Sequence, residues 1–267
     1  MLTNVEKTSI SYFTPLFLAT LFFSTALFSS QYPYRKYEHV KKFYSEICLD
    51  AIEIGIKHQI PPAAIMAIAG LESGYGRGYV SQITGNILSL GAFSGDKELP
   101  SLYLPYSKLS KTIVYDKKII KNHSENDLLW KKRAKSLKRD YRPYPYAGTA
   151  KKLELLKYDK KLKQKAYREC LNDFASRWIV RKSKVKVFRD ARVWLNKKVL
   201  NNGISILFDP AVNEKFIDII GGHPHSFNYR KAWPKKAKYI MKKTGLVELT
   251  TDIFNEKNDF NKVWSNK

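Results

Sequence analysis

The chain has 267 residues, of which 44% are apolar and 27% charged. That is enough for one sizeable core plus extensions, and it excludes a chain too polar to bury one. The net charge of +24 implies attraction to something acidic, be it nucleic acid, anionic lipid or an anionic cell-wall polymer, without choosing among them.

The N-terminus narrows the choice. Residues 8–34 carry no charged side chain, and 12–28 are dominated by Phe, Leu and Ala. This reads as a signal peptide or membrane anchor over residues 1–30, with small residues at Ser24-Thr25-Ala26 where a peptidase could cut. Arg35, Lys36, Lys41 and Lys42 follow the run, opposite to the usual charge bias for export. Residues 31–37, with Tyr32, Pro33 and Tyr34, read as a short linker.

A helix is expected over residues 38–58, with Val40, Phe43, Ile47, Ala51 and Ile54 at helical spacing. Ile60-Pro61-Pro62 breaks it, and proline suits the first turn of a second helix. That helix runs through Ala63, Ala64, Ala67 and Ala69 to Glu72, where Gly74 and Gly76 stop it. A carboxyl in the last turn of an apolar helix meets two influences of one sign. Apolar surroundings and the negative end of the helix dipole both disfavour its charged form, which suits a general acid. A solvated Glu beside a helix cap is the plain alternative.

Tyr75-Gly76-Arg77-Gly78-Tyr79 is a glycine-rich loop whose two aromatics could lie against sugar rings. It does not fit a phosphate-binding loop, because its glycines follow a helix. The helical period is lost over residues 91–123. Thr112–Tyr115 and Ile119-Ile120 around Asp116-Lys117-Lys118 read as a β-hairpin. Residues 124–138 read as a basic amphipathic helix capped by Ser124.

Leu162, Ala166, Cys170, Phe174 and Trp178, spaced by four, mark a core-facing stripe. Cys48 and Cys170 both lie on such stripes, where a buried thiol and a disulfide remain open. A further helix has Val187, Ala191, Trp194 and Leu195 inward. Asp209-Pro210 starts another through Val212, Phe216, Ile219 and Ile220, stopped by Gly221-Gly222. His223-Pro224-His225 lacks a third ligand at metal spacing, so no metal and no cofactor is implied. Trp233-Pro234 opens a last short helix ending at Gly245, and the rest reads as a partly ordered tail.

Leu71-Glu72-Ser73-Gly74-Tyr75-Gly76, followed ten residues later by Asn86-Ile87-Leu88-Ser89-Leu90, resembles the bacterial glucosaminidase family (glycoside hydrolase family 73) of autolysins and flagellar peptidoglycan hydrolases. The usual wording is E-S-G-W/Y-G, then N-L-F-G-I, so Ser89 stands where a Gly is usual. The resemblance implies a mainly α, lysozyme-like α+β fold with a small β-hairpin lobe beside the active-site cleft, spanning residues 38–225. Residues 226–267 are then a basic C-terminal extension. Glu72 matches the catalytic acid, and Ser73, Gly74, Tyr75, Tyr79 and Asn86 are expected along the substrate.

The family's second acidic residue often precedes a Tyr in the hairpin. Val114 falls there, and Asp116, two residues on, would share its strand face. Asp96 and Glu98 are rivals. The segment from Tyr167 to Ala175 resembles one packed beside the family's cleft, with Asp173 either orienting a site group or forming a surface ion pair. Ile206 occupies the place of a cleft Tyr three residues before the Asp-Pro pair, for which Tyr229 or Tyr115 could substitute.

The expectation is therefore an envelope protein, exported or membrane-anchored, that cleaves a β-1,4 bond of peptidoglycan glycan strands with Glu72 as general acid. Cleavage after N-acetylglucosamine is what the resemblance implies, with a muramidase or lytic transglycosylase close behind. A non-catalytic wall-binding scaffold is the alternative that Val114 and Ile206 favour. Partners would be glycan strands, anionic envelope polymers or lipid, and the membrane through the N-terminal segment. No specific nucleic acid is expected, because no recognition motif accompanies the charge.

Overall fold

The computed structural model describes residues 31–92, 103–111, 114, 128–132, 138–143, 146–147, 154–256 and 259–265. In chain order its elements are α1 (Glu38–His58), α2 (Pro62–Ser73), α3 (Tyr79–Thr84), β1 (Tyr103–Ser107) and β2 (Leu128–Lys132). There follow α4 (Leu155–Tyr158), α5 (Lys160–Asp173), a π-helical turn (Phe174–Trp178), α6 (Lys186–Asn202) and a 3-10 turn (Ile204–Phe208). The chain then forms α7 (Pro210–Ile220), α8 (Trp233–Thr244), α9 (Leu246–Glu256) and α10 (Phe260–Ser265).

The centre of the molecule is α2. Every residue from Pro62 to Gly70 is buried, which a helix apolar on all sides requires. It packs against α1, α7, α8 and α9. Its fully buried Ile65, Met66 and Ile68 each stabilise the fold by about 1.5–3 kcal/mol. A helix that starts inside a core cannot leave its first N–H groups to water. Pro62 has none to satisfy, and the Ala64 N–H donates to Asn213 Oδ1 at 2.9 Å from α7. The Asn213 amide in turn donates to the carbonyls of Leu207 and Asp209, both at 2.9 Å.

The expected stripe over Leu162–Trp178 is present, carried by α5 and continued by the π turn. Phe174 is fully buried there, and Cys170 and Cys48 are buried free thiols. Burial pushes both thiols up to about 12, so they are inert filling. Asp173 pairs with Arg177 one turn on, at 3.6 Å, and does more than that. It gathers Tyr141, whose hydroxyl donates at 3.0 Å, and Arg139 at 2.8 Å, and so straps residues 138–143 onto α5.

Three expectations change. First, residues 128–132 are not helix: β2 pairs antiparallel with β1, Tyr103 opposite Lys132 and Ser107 opposite Leu128. Leu128-Leu129-Trp130 is a short apolar run, and periodicity cannot tell a strand from a helix at that length. The hairpin expected over 112–120 lies outside the described residues, apart from Val114, which is buried.

Second, residues 31–37 are not a linker. The Arg35 guanidinium is buried and donates to the carbonyls of Thr244, Gly245, Val263 and Trp264 at 2.9–3.3 Å. It lies 4.5 Å from the Tyr32 ring centroid and 5.2 Å from that of Trp264. Third, the sequence past Gly245 is not a tail. Leu246, Leu249, Ile253, Phe260, Val263 and Trp264 join the same core as α1 and α2. Its charged outer faces hid this inner stripe, and the Arg35 carbonyl contacts carry no sequence signature.

No helix among the described residues is long and apolar enough to cross a membrane; residues 1–30 lie outside them.

Candidate active site

Glu72 is the penultimate residue of α2, where the helix leaves the core and its side chain becomes half-buried. Its Oε1 accepts a hydrogen bond from the Trp233 indole N–H at 2.7 Å. Trp233 opens α8 and is only 3% exposed. It reaches this position because Gly221 has no side chain: a Cβ there would lie 2.2 Å from Trp233 Cε3. The Gly221-Gly222 pair that ends α7 thus also makes room for the ring that holds the carboxyl. The loop between is closed by the Phe227 N–H on Ile220 O at 2.7 Å and the Gly222 N–H on Asn228 O at 2.8 Å. An indole N–H only donates. Oε1 is therefore an acceptor, and a proton on this carboxyl belongs on Oε2.

The turn after Glu72 is built for a sharp exit. Gly74, Tyr75 and Gly76 all have positive φ, at 56°, 57° and 71°. For Tyr75 this costs about 1–2 kcal/mol, the kind of local strain that collects at functional sites. Two devices hold it. The Tyr75 ring packs edge-on against His39, Phe43 and Tyr44, with centroids 5.7–6.3 Å apart. Ser73 Oγ donates to Ala69 O at 2.6 Å and accepts from the Gly76 N–H at 2.8 Å. Ser73 is buried, so its hydroxyl staples the turn and is not offered to a ligand.

Tyr75 also borders a cavity of about 360 Å³ with His39, Lys42, Arg77, Gln82 and Tyr167. Glu72 is not among its lining residues. Burial raises the Tyr75 phenol, so it stays a neutral donor. Tyr79, half-buried on the first turn of α3, is likewise pushed up to about 12.

Asn86 is held by the protein's own backbone. It is 2% exposed, and its amide donates to Leu90 O at 2.8 Å and Arg139 O at 2.9 Å. Its Oδ1 accepts from the Leu90 N–H at 2.8 Å and the Cys170 thiol at 3.6 Å. With every donor and both lone pairs used, Asn86 organises the 86–90 loop and has nothing left for a substrate. Ser89, in the place of the usual Gly, has φ 57°, the conformation that glycine adopts without steric cost.

Asp116, Asp96 and Glu98 lie outside the described residues, as does Tyr115. Val114, at the position the resemblance gives to an acid, is buried. Ile206 sits in the 3-10 turn beside Thr251 and Asn255 of α9, and Tyr229 is exposed under the Arg230 guanidinium. His223 is engaged with Ile219 O at 3.1 Å. The residue that sequence reasoning missed is Trp233, read there only as a helix start. A bulky aromatic following a Gly-Gly pair was the one available signal.

No protein-family model matches this sequence, and no curated protein matches it by sequence. Among solved structures, the catalytic domain of the autolysin Auto from Listeria monocytogenes is similar. It shares 13% identity over 79% of this chain and 87% of that one, with a TM-score of 0.44. At that identity and score the likeness decides nothing about chemistry, which has to be argued from this chain's own residues.

Proposed function

We propose that this chain is a glycoside hydrolase of the cell envelope that cuts β-1,4 bonds of peptidoglycan glycan strands, with Glu72 as general acid. The observation that carries the reading is the Glu72 carboxyl itself. It stands half-buried where an apolar helix meets a strained glycine turn, with one oxygen held by the Trp233 N–H at 2.7 Å. That hold leaves Oε2 to donate its proton to the departing glycosidic oxygen as oxocarbenium character builds on the sugar. The E-S-G-Y-G wording of residues 72–76 adds the resemblance to glucosaminidases, and with it cleavage after N-acetylglucosamine. The partner that stabilises the cation or activates water is Asp116 or the substrate's own acetamido group. Tyr75 and Tyr79, as neutral phenols with apolar faces, suit contact with sugar rings. Residues 8–34, uncharged throughout, would carry the chain into or across the membrane to reach its substrate.

A second reading is a wall-binding protein that keeps this architecture without chemistry. Val114 and Ile206, apolar at two places where the resemblance calls for an acid and a tyrosine, favour it. Incubation with purified sacculi decides between them. Release of reducing ends by wild type and none by Glu72→Gln supports the enzyme; binding with no release by either supports the scaffold.

A further inference from the structure

α1 ends in Lys57-His58, and the loop after the π turn carries Arg181. The fold brings these together with Arg192 of α6 around a depression of about 350 Å³, whose lining also includes Ser176 and Asn196. That volume lies in the range of small-ligand sites. Apart from the His58 ring no aromatic lines it, so recognition there has to come from charge.

Two of the three cations are held in place by hydrogen bonds, Lys57 is exposed beside them, and none has a carboxylate within ion-pair distance among the described residues. Arg192 is 8% exposed; its Nε donates to Ile179 O at 2.8 Å and its Nη1 to His58 O at 2.5 Å. Its Nη2 takes part in none of its hydrogen bonds. With its amide turned so that both ends are satisfied, Asn196 accepts from Arg181 Nη2 at 3.0 Å and Nε at 3.2 Å and donates to Arg192 O at 3.2 Å. This fixes the Arg181 guanidinium and leaves its Nη1 edge open.

Among the described residues no carboxylate pairs with Lys57, Arg181 or Arg192. Glu53, one turn before Lys57, is taken by Arg168, with bonds of 2.9 and 2.5 Å. Burial, and then the Arg181 charge, lowers the Arg192 guanidinium to about 10. His58 is lowered by burial and by Lys57 and Arg192. A buried cation such as Arg192 is ordinarily compensated, and planar guanidinium edges match phosphate oxygens. The π turn that floors the depression is a helix irregularity often met at functional sites.

We propose that this depression binds a phosphate group, with Arg181, Lys57 and the Nη2 edge of Arg192 as its ligands. The group would belong to a small phosphomonoester or to the phosphodiester backbone of an anionic polymer. Binding here is separate from Glu72 and independent of the hydrolase reading.

The test is calorimetric titration of the full-length protein with pyrophosphate, glycerol 1-phosphate and glycerophosphoglycerol, at constant ionic strength set with chloride. Saturable binding of one ligand per chain is expected in wild type. It should weaken by about tenfold or more in Arg181→Gln and in Lys57→Gln. Lys235→Gln removes the same charge from the exposed face of α8 and should bind as wild type does. A monoester preference assigns a small molecule, and a diester bound at least as well assigns a polymer. Equal weakening in Lys235→Gln and Arg181→Gln, or the lack of any saturable phase, would overturn the site. Arg181 is exposed, so its variant should fold; a thermal melt matching wild type confirms that.

Discussion

At the scale of single residues, the proposed chemistry rests on one carboxyl and its orientation on one indole. Glu72→Gln should fold normally and lose hydrolysis, because the amide keeps the shape and cannot supply the proton. Trp233→Phe keeps most of the packing and removes the N–H. The freed carboxyl should cost roughly tenfold to a hundredfold in kcat with KM little changed, measured on soluble glycan fragments. An equal loss in KM would mean that Trp233 binds substrate instead of positioning the acid. Gly221→Ala approaches the same link from behind. The added methyl meets the Trp233 ring at 2.2 Å, and overpacking of that kind costs about 1–3 kcal/mol. Its activity should fall further than its stability explains.

At the scale of elements, the first and last described segments are locked together by Arg35. Arg35→Met would leave the carbonyls of Thr244, Gly245, Val263 and Trp264 without their donor. The expected loss is on the order of 3 kcal/mol, seen as a lowered denaturation midpoint with an unchanged product pattern. Ser89→Gly should do the opposite. It relieves about 1–2 kcal/mol of left-handed strain and gives back part of that through a freer unfolded chain, so a small rise in melting temperature is expected.

These elements also show what could be read before the fold was known. α1 and α2 were legible to their ends, because long apolar periodicity and Pro or Gly at the boundaries are local signals. The Cys170–Phe174–Trp178 stripe was legible for the same reason. β2 was not, since five residues are too few for period to decide and strand pairing is made by a distant partner. The hydrogen bonds of Asn86 were not legible either, because its partners at Arg139 and Cys170 meet it only in three dimensions. The Trp233–Glu72 contact, 161 residues apart, is marked along the chain only by the Gly-Gly pair ahead of the tryptophan.

At the scale of the whole molecule, stability should respond to acid through two histidines. Burial, reinforced by Arg77 at His39 and by Lys57 and Arg192 at His58, lowers both below the ordinary histidine value. The unfolded chain then takes up protons first as pH falls, so stability is full above about pH 6.5 and is lost as pH drops towards each folded-state value. His58→Gln should flatten part of that decline in melts taken between about pH 7 and pH 5. The single binding reaction of such a cationic chain with a wall would be salt-sensitive whatever its chemistry, and so cannot identify the activity. Product analysis can. Mass analysis of muropeptides released from purified sacculi should show new reducing N-acetylglucosamine ends with wild type and none with Glu72→Gln. Equal release by both proteins would contradict the assignment of Glu72 as the acid.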